Sequence, residues 1–250
     1  MNPYLKNLTK IEFVVTDACT GRCKHCSEGE HAPCGERISP EVAAQAVREI
    51  AEGYPIRTVM AFGGEPLLYA DTVYAIMACA SALGIPHRQV ITNGYFTRDA
   101  AKMREVAKQL SASGVNDLLV SVDSFHQEHI PLGAVREFVL MAKAYGIPVR
   151  LQPAWLVSRD DDNPYNEKTR ELLATFCDTG IAVSEGNIVF PEGNAEVYLK
   201  EYLEKAPVDN PYVENPYDVR TVSVSANGDV LSHNLYRESM CEILAGYQPN

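Results

Sequence analysis

The order of apolar runs along the chain constrains its fold most. Strand-like segments occur at Ile11-Glu12-Phe13-Val14-Val15, Arg57-Thr58-Val59-Met60-Ala61-Phe62, Gln89-Val90-Ile91, Asp117 to Val122 and Val149-Arg150-Leu151, with a last core strand carrying Ile188-Val189-Phe190. Between them the apolar residues recur at helical spacing, over Pro40–Gly53, Asp71–Leu83, Arg98–Leu110, Leu132–Tyr145 and Glu167–Cys177. The first of these helices also carries its start signal, since Ser39 can accept from an orphan backbone N–H and Pro40 suits the first helical position. Strands alternating with helices of ~10–15 residues predict βαβ units and a parallel sheet, an α/β fold. Strand starts near 11, 57, 88, 117, 148 and 182 number six, too few for a closed eight-stranded barrel. In such folds functional groups gather at the carboxyl ends of the strands.

Three thiols sit at one of those ends. Cys19, Cys23 and Cys26 follow the first strand in the stretch Thr16-Asp17-Ala18-Cys19-Thr20-Gly21-Arg22-Cys23-Lys24-His25-Cys26. Thiolates at this spacing converge on a single metal centre, and soft sulfur favours zinc or an iron–sulfur cluster. Three protein ligands leave one metal position open, whereas a structural zinc site or an electron-transfer cluster takes four. The second strand ends in Gly63-Gly64-Glu65-Pro66, where two glycines permit close backbone approach or φ > 0 and the proline fixes the exit direction.

The Cys-x3-Cys-x2-Cys spacing with His25 before the last cysteine, followed in the next βα unit by Gly-Gly-Glu-Pro, resembles the radical S-adenosylmethionine superfamily. The resemblance covers about residues 10–195. It implies a partial (β/α)6 barrel and a [4Fe–4S] cluster on Cys19, Cys23 and Cys26. The unique iron of that cluster chelates S-adenosylmethionine and cleaves it reductively to a 5'-deoxyadenosyl radical, which abstracts hydrogen from a substrate. It implies further that His25, Gly63, Gly64 and Glu65 contact the cofactor, with the Glu65 carboxylate or a neighbouring carbonyl receiving the methionine amino group. Asn93 ends the third strand, and Ser121 and Asp123 end the fourth; these, with Gln152 beyond the fifth, are further candidates for cofactor contact. Their other reading is turn chemistry, because Asn-Gly and Asp-Ser stabilise strand exits locally. Phe125-His126-Gln127-Glu128-His129 is read as substrate contact or a solvated loop, since His-x2-His lacks the i, i+4 spacing of a helical zinc motif.

The partners implied are an electron donor such as flavodoxin or ferredoxin and a peptide, protein or small-molecule substrate. A peptide is favoured by the order of barrel and hairpin, with a glycyl-radical protein also open. The competing class is a non-catalytic iron–sulfur or zinc-binding protein, an electron carrier, in which Cys34 would join the triplet as fourth ligand.

Residues 1–205 are expected to form the barrel domain, with 206–250 packed on it as an extended connection, a β-hairpin and a tail. The connection is signalled by Pro207, Asn210-Pro211-Tyr212 and Asn215-Pro216-Tyr217. Thr221 to Ser225 and Asp229 to Ser232 flank Ala226-Asn227-Gly228 and predict a hairpin over the open sheet edge. Only Cys241 follows the barrel, so a single cluster is expected; Cys79 and Cys177 read as core thiols, and Cys34 and Cys241 as ordinary residues or hydrogen-atom donors. A formal charge of −11 without a basic cluster argues against nucleic acid. No stretch approaches the ~20 apolar residues of a membrane span. The odd count of 7 cysteines does not form a secreted disulfide framework, and with no apolar N-terminal signal the expected location is the cytoplasm.

Overall fold

Alternation within the first strands decides what they bury. Ile11 and Phe13 of β1 (Lys10–Val14) and Val59 and Ala61 of β2 (Thr58–Phe62) are fully buried in one apolar core, while the residues between them are half-buried. The computed structural model describes residues 2–206 and 208–249. Pro207, expected in the extended connection, lies outside the described residues. The chain runs from β1 through α1 (Pro40–Gly53), β2, α2 (Ala70–Ala82), β3 (His87–Thr92), α3 (Ala100–Ala112), β4 (Asp117–Ser121), the one-turn α4 (Ser124–Gln127) and α5 (Leu132–Ala144). It continues with β5 (Val149–Gln152), β6 (Ala154–Trp155), α6 (Pro164–Ala174), β7 (Ala182–Val183), β8 (Asn187–Ile188), α7 (Asn194–Tyr198) and α8 (Lys200–Leu203). Last come β9 (Thr221–Val224), β10 (Asp229–Val230), β11 (His233–Asn234) and α9 (Met240–Gly246).

The main sheet has seven strands in the order β7-β5-β4-β3-β2-β1-β9, every neighbouring pair parallel. Among the described residues its two edge strands, β7 and β9, do not pair with each other, so the sheet stays open as a partial barrel. The parallel direction puts the carboxyl ends of β1 to β5 on one rim. Val14 lies beside Phe62 there, and Ser121 beside Gln152. α1 is built as its sequence dictates: the Ser39 hydroxyl accepts from the Val42 N–H at 3.2 Å, Pro40 opens the helix, and Ala43, Ala46, Val47 and Ile50 form its buried stripe.

Four details depart from the sequence reading. The six expected strands share the sheet, but β9 joins as a seventh, with Ile11 beside Val222 and Phe13 beside Val224. Thr221–Ser225 therefore does not form the expected hairpin ladder with Asp229–Ser232: β9 lies parallel to β1, and its contact with the following segment is the Ser225 N–H donating to the Asp229 carbonyl at 2.9 Å. The Asn227-Gly228 turn links β9 to β10, with the Gly228 N–H donating to the Ser225 carbonyl at 2.9 Å, and the C-terminal hairpin is β10 against β11. Ile188 lies outside the main sheet, in β8 paired with β6; Val189, whose N–H donates to the Trp155 carbonyl at 2.9 Å, and Phe190 follow the end of β8. α6 begins at Pro164 rather than Glu167, since Asn163 caps it by accepting from the Asn166 N–H at 3.0 Å. The copies of Asn-Pro-Tyr at 210–212 and 215–217 instead close turns onto the Tyr212 and Tyr217 N–H groups.

Apolar residues of the C-terminal strands and α9 enter the main core. Val219, Val222, Val224, Val230, Met240, Ile243 and Leu244 pack with the residues of β1, β2 and α1. The Met240 N–H of α9 donates to the Glu49 carboxylate of α1 at 2.7 Å.

Candidate functional site

The loop from β1 to α1 is drawn closed at its neck. Thr16 pairs with Arg37, the Asp17 N–H donates to the Glu36 carbonyl at 3.2 Å, and the Cys19 N–H donates to the Ala32 carbonyl at 3.1 Å. Within it the thiols of Cys19, Cys23 and Cys26 are free. Gly21 lies against two of them: a Cβ there would sit 3.2 Å from the Cys23 sulfur and 3.7 Å from that of Cys19. Burial pushes the Cys19 thiol up to about 11. Burial also raises Cys23, with Asp123 and the neighbouring thiols adding to the effect. The Cys19 and Cys23 thiols thus resist ionisation until a cation compensates them, and coordination by a metal would remove their protons.

Gly63 and Gly64 are required by the cysteine loop itself. A Cβ on Gly64 would lie 2.2 Å from the Ala18 carbonyl oxygen, and one on Gly63, at φ +133°, would lie 2.8 Å from the Thr16 carbonyl oxygen. The close backbone approach anticipated for a ligand is thus made by the first loop lying on the second. The Gly64 and Glu65 N–H groups donate to the Thr16 and Ala18 carbonyls at 2.8 and 2.7 Å. Among the described residues the Gly63 and Gly64 carbonyls accept no hydrogen bond.

The Glu65 carboxylate faces inward and is fully buried. One oxygen accepts from the Leu67 N–H at 2.9 Å and the Thr92 hydroxyl at 2.7 Å; the other accepts from the Asn93 N–H at 2.8 Å. Burial outweighs these bonds and raises its pKa to about 7. Glu65 therefore ties the end of β2 to the end of β3. Asn93 carries the link onward, donating to the Thr20 hydroxyl at 3.0 Å with the Cys19 sulfur 3.7 Å from its amide nitrogen.

Ser121 is buried at the end of β4. Asp123, fully buried, caps α4 by accepting from the Phe125 and His126 N–H groups at 3.0 and 2.9 Å, and its second oxygen meets His126 Nδ1 at 2.8 Å and the Ala154 N–H at 3.1 Å. Burial pushes this carboxyl up, but the His126 and His25 rings and its hydrogen bonds outweigh it and bring the pKa down to about 2. His25 lies between Phe125 and His126, tilted to the first and edge-on to the second with each ring centroid 4.8 Å away, and burial lowers its pKa to about 4. The paired histidine of His126 is thus His25 of the cysteine loop, while His129 is exposed. Gln152 lies beside Ser121 on the rim, but its amide is bonded to Ser184 and, at 3.1 Å, to Asn187.

Two functional contacts escaped the sequence reading. His31 places Nε2 3.2 Å from the Cys26 sulfur while Nδ1 meets the Asp17 carbonyl at 2.8 Å, and the bond to Cys26 raises its pKa to about 9. Gly193-Asn194, at the start of α7, grips the loop from across the molecule. The Asn194 side chain donates to the Cys23 carbonyl at 3.0 Å and its N–H to the Cys26 carbonyl at 2.9 Å. The Pro191-Glu192-Gly193-Asn194 stretch carried only a turn signal. A cavity of about 350 Å³ opens beside Cys19, lined by Thr20, Arg22, His31, Tyr95 and Arg98 among others.

Residues 13–206 match the radical SAM superfamily. The chain belongs to that superfamily. Its relatives include the probable GTP 3',8-cyclase of Methanosarcina mazei, 32% identical over 133 residues, which are 51% of this chain and 37% of the relative. The GTP 3',8-cyclase of Aquifex aeolicus is 28% identical over 167 residues, 62% of this chain and 50% of the relative. The radical SAM chain thus spans half or less of these relatives' length. Among solved structures, Streptococcus suis SuiB bound to S-adenosylmethionine has a TM-score of 0.64 at 12% identity, covering 97% of this chain and 66% of that one. Native anSMEcpe with bound AdoMet has a TM-score of 0.59 at 12% identity, covering 97% and 81%. Both share the fold.

Radical SAM enzymes use a [4Fe–4S] cluster and S-adenosylmethionine and need a reductant and a substrate. The donor set here fits: three free thiols on one loop, no side chain at Gly21 between two of them, and unpartnered carbonyls at Gly63 and Gly64. Among the described residues no helix is long and apolar enough to cross a membrane.

Proposed function

We propose that this chain uses Cys19, Cys23 and Cys26 to hold three corners of a [4Fe–4S] cluster and binds S-adenosylmethionine at the fourth, for hydrogen abstraction from an organic substrate. The reading rests on one observation: Gly64 meets Ala18 so closely that the cysteine loop and the Gly63-Gly64-Glu65 segment form one unit at the ends of adjacent strands. When bound, the cluster and cofactor supply the electron and the 5'-deoxyadenosyl group for radical chemistry. The chain's own part is to bind and orient. The carbonyls of Gly63 and Gly64 are the acceptors for the cofactor's amino group. Glu65 acts behind them as a positioning residue for Thr92 and Asn93. His25, Asn93, Ser121 and Asp123 with His126 line the same rim, while Gln152, committed to Ser184 and Asn187, shapes its margin.

The reductant is a low-potential carrier of the flavodoxin or ferredoxin type, and a reducing compartment, the cytoplasm, suits seven free cysteines. For the substrate, the order of barrel and C-terminal strands favours a peptide. The sequence relatives, named GTP 3',8-cyclases, bring in a nucleoside triphosphate, and the Arg22 and Arg98 wall of the cavity suits an anion.

Anaerobic reconstitution is expected to give about four irons per chain, and reduction in the presence of S-adenosylmethionine to release 5'-deoxyadenosine. Deuterated peptide and deuterated GTP, offered separately, then identify the substrate by deuterium in that product. A reconstituted protein whose cluster spectrum ignores S-adenosylmethionine would overturn the reading in favour of an electron carrier with four protein ligands.

A further inference from the structure

Cys23 belongs to a second group of ligand atoms. Its sulfur and one ring nitrogen each of His25 and His126 all lie within 4.8 Å of one another, and among the described residues this is the one trio of cysteine, histidine or acidic side chains that does so. Cys19, Cys23 and Cys26 do not form such a trio.

The two histidines are prepared for a single ion in different ways. His126 is held through Nδ1 by the buried Asp123 carboxylate at 2.8 Å, which leaves Nε2 free. Histidines that bind metals typically donate their other ring N–H to a carboxylate in this manner. That carboxylate is fixed in turn by the N–H groups of Phe125, His126 and Ala154. His25 is clamped between Phe125 and His126, and its Nδ1 is a buried polar atom without a partner. Buried polar atoms are nearly always paired, so an orphan nitrogen on a ring of this trio calls for a ligand. Tetrahedral zinc, with Zn–S of ~2.3 Å and Zn–N of ~2.0–2.1 Å, sets its ligand atoms roughly 3.3–3.6 Å apart. Pairs of the trio that stand as far as 4.8 Å apart must draw in by roughly 1.2–1.5 Å to reach that spacing.

We propose that the cluster-free chain binds one borderline divalent cation of the zinc type through Cys23, His25 and His126, with Asp123 orienting His126. This ion and the [4Fe–4S] cluster exclude each other, because both need the Cys23 thiolate. The ion holds Cys23 until the cluster is delivered. Binding stands on the trio alone; the exclusion rests on the cluster reading above.

The test is titration of the full chain, stripped of iron under anaerobic conditions, with Co2+, whose absorption reports thiolate ligation and tetrahedral geometry. One equivalent should bind with a thiolate charge-transfer band. Cys23→Ser should abolish the band, His126→Ala should weaken binding at least tenfold, and Asp123→Asn should weaken it by ~10–100-fold. Cys19→Ala and Cys26→Ala should bind Co2+ as the unaltered chain does. Zinc loaded beforehand should slow cluster reconstitution in the unaltered chain and not in His126→Ala. Loss of Co2+ binding in Cys19→Ala or Cys26→Ala, or full binding in a folded His126→Ala, would overturn the proposal. If His126→Ala does not fold, the contrast between Cys23→Ser and the other two cysteine variants decides it. A chain that binds Co2+ as expected yet assembles no cluster would refute the exclusion and the cluster reading while leaving the cation site standing.

Discussion

Replacing Glu65 with glutamine should change the protein's stability by an amount that depends on pH. The substitution keeps an oxygen for the Leu67 N–H and the Thr92 hydroxyl but turns an amide NH2 toward the Asn93 N–H, now 2.8 Å from a carboxylate oxygen. Two donors then face each other, and the unpaired buried N–H costs about 2 kcal/mol. The wild-type carboxyl has its own penalty: burial raises its pKa from 4.5 to about 7. Near pH 4 both folded and unfolded chains carry the proton. As the pH rises the unfolded chain ionises first, so the folded state loses about 3 kcal/mol between roughly pH 4.5 and 7 and is level above that. Glutamine has no such loss. The variant should therefore be less stable by about 2 kcal/mol near pH 4.5, and the gap should close or reverse by pH 8. At this chain length each kcal/mol corresponds to a shift in Tm of ~2–4 °C. Anaerobic urea unfolding of both chains across this range measures the difference, and the other titrating groups, His25 and Asp123 among them, largely cancel. A gap that stays constant or widens with pH would refute the reasoning, since it would mean that the three donors outweigh burial.

Other outcomes follow from the same geometry. Gly64→Ala places a methyl 2.2 Å from the Ala18 carbonyl oxygen, so it should cost about 3 kcal/mol in unfolding experiments and depress iron uptake by displacing the cysteine loop. Single Cys19→Ala, Cys23→Ala and Cys26→Ala variants should fall from about four irons per chain to few or none by iron analysis, with thermal unfolding of the cluster-free chains nearly unchanged. Asn194→Ala removes the donor 3.0 Å from the Cys23 carbonyl. It should cost about 1–2 kcal/mol and speed hydrogen exchange across the cysteine loop; unchanged exchange there would show that α7 does not hold the loop.

What was legible in the sequence was what neighbouring residues settle among themselves. Ser39-Pro40 begins a helix because cap and first turn are adjacent. Apolar periodicity gave away β1 to β5 and the helices between them, and three thiols within eight residues were bound to share a loop. The tripeptide Asn-Pro-Tyr shows the limit of such reasoning. At Asn163 it caps a helix and at Asn210 and Asn215 it closes a turn, because the following residues, not the tripeptide, decide whether the N–H groups beyond it continue into a helix.

Sequence alone thus determined the α/β class, the rim of strand ends and the loop that the three cysteines share, all of which follow from local periodicity and spacing. Only the tertiary structure decided which distant partner each group took. Val222 pairs with Ile11, Gly64 receives Ala18, Glu65 spends its oxygens on Thr92 and Asn93, and His126 turns to His25 rather than to His129. Each of these groups had several chemically suitable partners in the chain. The choice among them was made by which segments the sheet brings together, because a buried donor or acceptor must be satisfied by whatever lies within about 3 Å of it.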